Sequence, residues 1–192
     1  WQSLFEGGLK ERFEKEVLPG YLRRCRWYRG ESKRLIGVEI VENIPIGDGG
    51  AAGRLLFIKA NYYEGEAETY VLAVTAVGDK AAGRIAEETP HAVIATLDYG
   101  RTSGCLCDAF YVPKFQQALL QLMRRKRRLH GQYGDLVSRS AAAGRSRAGK
   151  VNPARTEVIR TPQSNTCLNY GDQLIFKLFR RISEGVNSDA EI

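Results

Sequence analysis

A chain of 192 residues with 43% apolar content is long enough for one full domain or two small ones around a buried core. Its 29 basic against 22 acidic residues give a formal charge of +7, which admits an anionic partner such as nucleic acid, lipid or nucleotide, so where the charge sits matters more than its sum. The sequence opens at Trp1 and shows no charged start followed by a long apolar run, so neither a secretory signal nor a membrane span is expected and the chain reads as a piece of a longer protein.

Leu4, Phe5, Leu9, Phe13, Val17 and Leu18 recur at helical intervals and predict a helix from Leu4 to about Arg24, weakened at Gly7-Gly8 and ended or kinked by Pro19-Gly20. Trp27 and Tyr28, in RCRWYRG, admit either a stacking platform for a base or sugar or core packing, the commoner fate of an aromatic pair beside a helix. Strand-like runs follow at Leu35 to Ile46, Arg54 to Tyr63 and Glu68 to Val77. The joining GDGGAAG and EGEA suit hairpin loops, so an antiparallel meander is expected. His91 to Leu97, after the loop GDKAAGRIAEETP, is expected to extend the same sheet. Gly47, Gly49 and Ala52 fit a degenerate dinucleotide fingerprint, but RLLFIKANYY continues as a strand where a helix would have to begin, so the glycines read as a hairpin loop.

Cys25, Cys105, Cys107 and Cys167 are scattered rather than spaced as a disulfide framework, which fits a reducing cytoplasm, and with only His91 and His130 beside them no paired zinc spacing arises. No structural metal is expected. Phe115, Ala118, Leu119, Leu122 and Met123 make Pro113 to Leu129 an amphipathic helix able to lie across the sheet. Its far end, Arg124 to Arg128, reads as a solvated helix end opposing the dipole rather than a nucleic-acid patch, since no aromatics are interleaved and no reader motif accompanies it. Residues 139–153, small, polar and cationic, read as a joint. Gly144, Gly149 and Lys150 match a Walker spacing, yet Val151 replaces the hydroxyl that holds magnesium and Asn152-Pro153 opposes the following helix, so a Walker loop is set aside.

The run QSNTCLNYGDQLIFKLFRR, Gln163 to Arg181, reads as a polar loop through Thr166, a strand to about Tyr170, a turn at Gly171-Asp172 and a strand from Leu174 to Phe179. Leu174, Phe176 and Leu178 share one face of that second strand, and Ile175, Lys177 and Phe179 the other. Lys177 admits two readings: a gatekeeper on an exposed edge strand, or a cation set against nucleotide phosphates with a carboxylate such as Glu191 to hold it.

The stretch QSNTCLNYGDQLIFKLFRRISEGVNSDAEI resembles the start of the nucleotide lobe of bacterial maltokinases, relatives of the aminoglycoside phosphotransferases, and RCRWYRG resembles the entry to their cap domain. Pro162, Cys167 and Ser188 depart from the pattern expected of that family. The resemblance implies an α+β fold with a cystatin-like cap over residues 1–138, a linker over 139–153 and, over 154–192, the beginning of a kinase-like lobe. It implies ATP contacts from Lys177, cover from Ser164, Asn165 and Thr166, and a helix carboxylate at Glu191. The implied reaction is transfer of the ATP γ-phosphoryl group to the anomeric hydroxyl of maltose, with magnesium. The catalytic aspartate and the magnesium ligands are then expected beyond Ile192, so the stretch alone is expected to be inactive. ATP and maltose are the implied partners, with neither nucleic acid nor membrane. A trehalose synthase fused upstream or associated is compatible with the resemblance, and the alternative is a non-catalytic module whose basic face docks such an enzyme.

Overall fold

The computed structural model describes residues 1–98, 100, 102–125, 127–138, 151–152, 155–159 and 165–183. It begins with a 3-10 turn (Gln2–Phe5), α1 (Gly7–Arg12), a π-helical turn (Phe13–Val17) and α2 (Leu18–Arg24). Pro19 therefore does not end the helix. A proline lacks the N–H of its turn and crowds the carbonyl four residues back, and the widened π turn just ahead of it takes up that crowding. Phe13, Leu18, Tyr21 and Leu22 form the buried stripe.

β1 (Leu35–Ile46), β2 (Gly53–Tyr62) and β3 (Glu68–Gly78) make the expected antiparallel meander. The loop between β1 and β2 is a hairpin turn: Gly47 and Gly49 take φ of 80° and 58°, open to glycine at no steric cost. Two elements depart from the sequence reading. GDKAAGRIAEETP is not a loop but carries α3 (Asp79–Glu88), and after β4 (Val93–Asp98) an additional strand, β5 (Ser103–Asp108), inserts between β3 and β4. The order is β1-β2-β3-β5-β4, so the fourth expected run joins the sheet through a strand that was not anticipated.

α4 (Pro113–Arg124) buries Phe115, Gln116, Leu119 and Leu120 and stops short of Leu129. Of the basic run only Arg124 thus lies in its final turn. Arg125 is extended, Arg128 opens β6 (Arg128–His130), and β7 (Asp135–Val137) returns to pair Leu129 with Leu136. Those two leucines pack on the same core as α4, which a continued helix would forfeit. Arg124 is engaged as well, donating to the Val151 carbonyl at 2.9 Å. The Walker-like Gly144, Gly149 and Lys150 lie outside the described residues.

β8 (Thr156–Ile159), β9 (Asn165–Tyr170) and β10 (Leu174–Phe179) form a separate antiparallel sheet in the order β10-β9-β8, and β11 (Arg181–Ile182) crosses back to pair with β3. β11 lies beside Thr69 and Tyr70, on the edge of β3 that β5 leaves open. The result is three layers. The π turn and α2 pack on one face of the central sheet through Tyr70, Leu72, Leu56 and Ile58, α4 and the small sheet pack on the other through Val71, Ala73 and Leu55, and α3 sets Ile85 beside Cys105 and Cys107.

Candidate functional site

The β9–β10 hairpin has two faces of different character. Its register pairs Leu174 with Tyr170, Phe176 with Leu168 and Leu178 with Thr166, and these side chains look toward the central sheet and α4, where they join Phe110, Phe115 and Leu119. Tyr170 fixes the contact by donating its hydroxyl to the Gln116 carbonyl at 2.8 Å. The opposite face carries Lys177 across from Cys167, Ile175 across from Asn169, and Phe179 across from Asn165. Ile175 is 64% exposed and Lys177 is also exposed, with its ammonium 4.9 Å from the centre of the Phe179 ring. β10 is an edge strand of its sheet, so Lys177 also occupies the position of an edge gatekeeper.

Asn165 and Thr166, expected in a loop, instead open β9. The strand extends to them because both pair with β10, Thr166 with Leu178 and Asn165 with Phe179. Thr166 is buried and turned toward the central sheet, away from the face of Lys177. Ser164 and Glu191, like Pro162 and Ser188, lie outside the described residues.

What Thr166 meets is Arg180, among the most buried side chains of the molecule at 1% exposure. Its Nε donates to Thr166 Oγ1 at 2.8 Å, one terminal nitrogen reaches the Val71 carbonyl at 3.4 Å, and the other forms a short charged hydrogen bond to Asp108. The guanidinium lies 5.0 Å from the Trp27 ring centre and 5.1 Å from that of Phe110. A planar, weakly hydrated cation suits such an aromatic slot as an ammonium would not. Asp108 is itself held, its other oxygen accepting from the Phe110 amide at 3.1 Å. Trp27 and Tyr28 are accordingly core residues, both packed on Tyr70. A cavity of about 320 Å³ opens beside this assembly, lined in part by Tyr21, Trp27, His91, Asn165 and Arg180.

Arg181 makes the second tie to the central sheet. Glu68, also buried, accepts from Arg181 at 3.1 Å, Lys33 at 3.0 Å and the hydroxyls of Tyr62 and Tyr70. Burial alone would raise the Glu68 pKa, but donors from Tyr70, Lys33 and Tyr62 and the charge of Arg181 hold it below the usual carboxylate range. Burial pushes the Cys25 thiol up to about 12 despite the nearby Arg180 charge.

The Arg180–Asp108 pair was not anticipated from sequence. The signal was the strand's own alternation: 174, 176 and 178 point inward, and 180 continues that parity.

With this geometry in place, one comparison bears on it. Residues 21–111, from α2 through the central sheet to the turn that follows Asp108, match the family model of the maltokinase N-terminal cap domain. The match spans just under half of the chain and supports a maltokinase N-terminal cap over those residues.

Proposed function

We infer that a chain carrying a maltokinase N-terminal cap is the front portion of an ATP-dependent maltokinase, in which the β9–β10 hairpin is the start of the nucleotide lobe. The observation that carries this reading is the sidedness of the hairpin: the cap covers one face, and Lys177, flanked by Ile175 and Phe179, stands on the other. A triphosphate fits that face, since an exposed ammonium supplies the charge and apolar neighbours lower its competition with water. Lys177 clamps the ATP phosphates, and Ser164 and Asn165, where β9 begins, belong to the covering segment. Thr166 contributes through its bond to Arg180. Glu191 is the carboxylate that holds the lysine.

The reaction is phosphoryl transfer from ATP to the anomeric hydroxyl of maltose, giving maltose 1-phosphate and ADP. Bound magnesium neutralises the developing phosphate charge, and its ligands, with the aspartate that orients the hydroxyl, come from the part of the lobe that follows the hairpin in the family pattern. The test is phosphate transfer from ATP to maltose by the protein extended through its whole second lobe, with the 192-residue stretch as control. Activity confined to the extended protein, and lost in its Lys177→Ala variant, is expected. No transfer to maltose or any other disaccharide, or full turnover by Lys177→Ala, overturns the reading.

A further inference from the structure

Resting on that reading of Lys177, we propose that Asp108 is a positioning residue for nucleotide binding: through Arg180 it fixes the register of the hairpin on the cap, and so the face on which Lys177 stands. The argument begins with parity. Lys177 lies between the inward Phe176 and Leu178 of β10, and Arg180, in the bend that follows the strand, is inward two positions beyond Leu178, so slipping the strand by one residue exchanges its faces and carries Arg180 away from its slot. Apolar packing opposes that slip only at its middle place: Ile175 and Phe179 could stand in for two of Leu174, Phe176 and Leu178, while Lys177 would enter the core at the third. The guanidinium discriminates strongly. Only Arg180 at this depth meets Asp108, Thr166 and the Val71 carbonyl together between the rings of Trp27 and Phe110. In a slipped hairpin Phe179 or Arg181 would enter the slot, and Asp108 would be left buried without its cation or Glu68 without Arg181. Backbone contact reinforces the setting, for the Val71 amide donates to the Arg180 carbonyl at 2.7 Å. A buried ion pair costs desolvation, and specifying register is the best-attested use of such a pair.

The experiment uses the full maltokinase-length protein. Asp108→Asn is compared with the double variant Asp108→Leu with Arg180→Met, which removes both charges at similar volume and leaves no stranded guanidinium. Two quantities are read: the KM for ATP against the KM for maltose, and the ATP concentration that protects Lys177 from acetylation, measured by mass spectrometry. In the variants both the KM for ATP and the protecting concentration are expected to rise by about 10- to 100-fold, with the KM for maltose unchanged. A role confined to stability lowers the melting temperature but leaves both quantities where they were. Folded variants with the parent's ATP values, variants in which both KM values rise together, or a double variant that fails to fold overturn the proposal, the last because the pair would then hold up the core rather than set the register. Lys177→Ala is run alongside. If it leaves ATP use intact the nucleotide reading itself has failed, whereas a damaged Lys177→Ala with unaffected Asp108 variants removes only the positioning role.

Discussion

Arg180 and Arg181 are neighbours of identical chemistry with opposite environments, one 1% exposed and the other with about half of its side chain in water. Composition and charge could not separate them; strand parity could, had the strand been followed past Phe179. Asp108 was less legible, since the residue that partners it lies far along the chain and nothing local marks it as internal. The cysteines were easier. All four are buried and free, in keeping with a spacing that does not form a disulfide framework. With the Cys25 thiol pushed up to about 12 by burial, its reactive thiolate is scarce near neutrality. Native protein at pH 8 is expected to react with a thiol reagent only on the timescale of unfolding, and denaturant to release all four thiols at once. Rapid labelling of Cys25 in the folded state would contradict the burial described.

The strands of the meander were legible almost to the residue because each is bounded by glycine-rich turns. β5 was hidden for a physical reason: from Gly104 to Asp108 it is buried on both faces, which erases the alternation that announces a strand. α3 was hidden by the opposite circumstance, since Ile85 is its one buried residue and Gly83 interrupts its period. The β6–β7 hairpin depends on a partner that local sequence does not show. Glu42, on β1, accepts backbone N–H bonds from Gln132, Tyr133 and Gly134 at 2.6 to 2.7 Å, in addition to that of Asn43. Partial burial would raise its pKa, but the four backbone donors outweigh it and lower the carboxyl below its ordinary value of 4.5. A lowered folded-state pKa means that the stabilisation is present above the ordinary carboxylate range and is lost as pH falls through the lower folded value. Glu42→Gln is therefore expected to speed amide exchange at Gln132, Tyr133 and Gly134 by about tenfold, equivalent to about 1–2 kcal/mol of local closure. Acid should do the same to the parent below the ordinary carboxylate pKa while leaving β2 and β3 protected. Unchanged exchange in Glu42→Gln would show that the leucine contacts alone hold the hairpin.

At the scale of the molecule, the formal charge of +7 resides outside the buried Arg180–Asp108 pair, whose two charges cancel. The small sheet is not an appendage. Leu168, Tyr170, Leu174, Phe176 and Leu178 complete the core that α4 and Phe110 begin. Large apolar side chains contribute about 1.5–3 kcal/mol each on full burial, and with Leu168 and Tyr170 fully buried and the other three partly so, removing this group costs an appreciable share of a typical domain's margin of about 5–15 kcal/mol. A chain ending at Ser138 is accordingly expected to bind a hydrophobic dye and to aggregate, checked by dye fluorescence and size-exclusion chromatography. A monomeric product with a cooperative, undiminished melting transition would show that the first sheet stands alone.

β11 gives the fold a history as well as a shape. β3 ends at Gly78, yet one of its edges is completed only by Arg181 and Ile182, and Val71 waits for the carbonyl of Arg180. On the ribosome the central sheet through Asp108 is made before the residues that close it, so while the intervening residues are added it exists with an open edge and an empty aromatic slot. Pairings so distant in sequence form late and slowly. Emergence of the hairpin from the ribosome, rather than completion of the meander, is then the event that commits the nascent chain to its final structure.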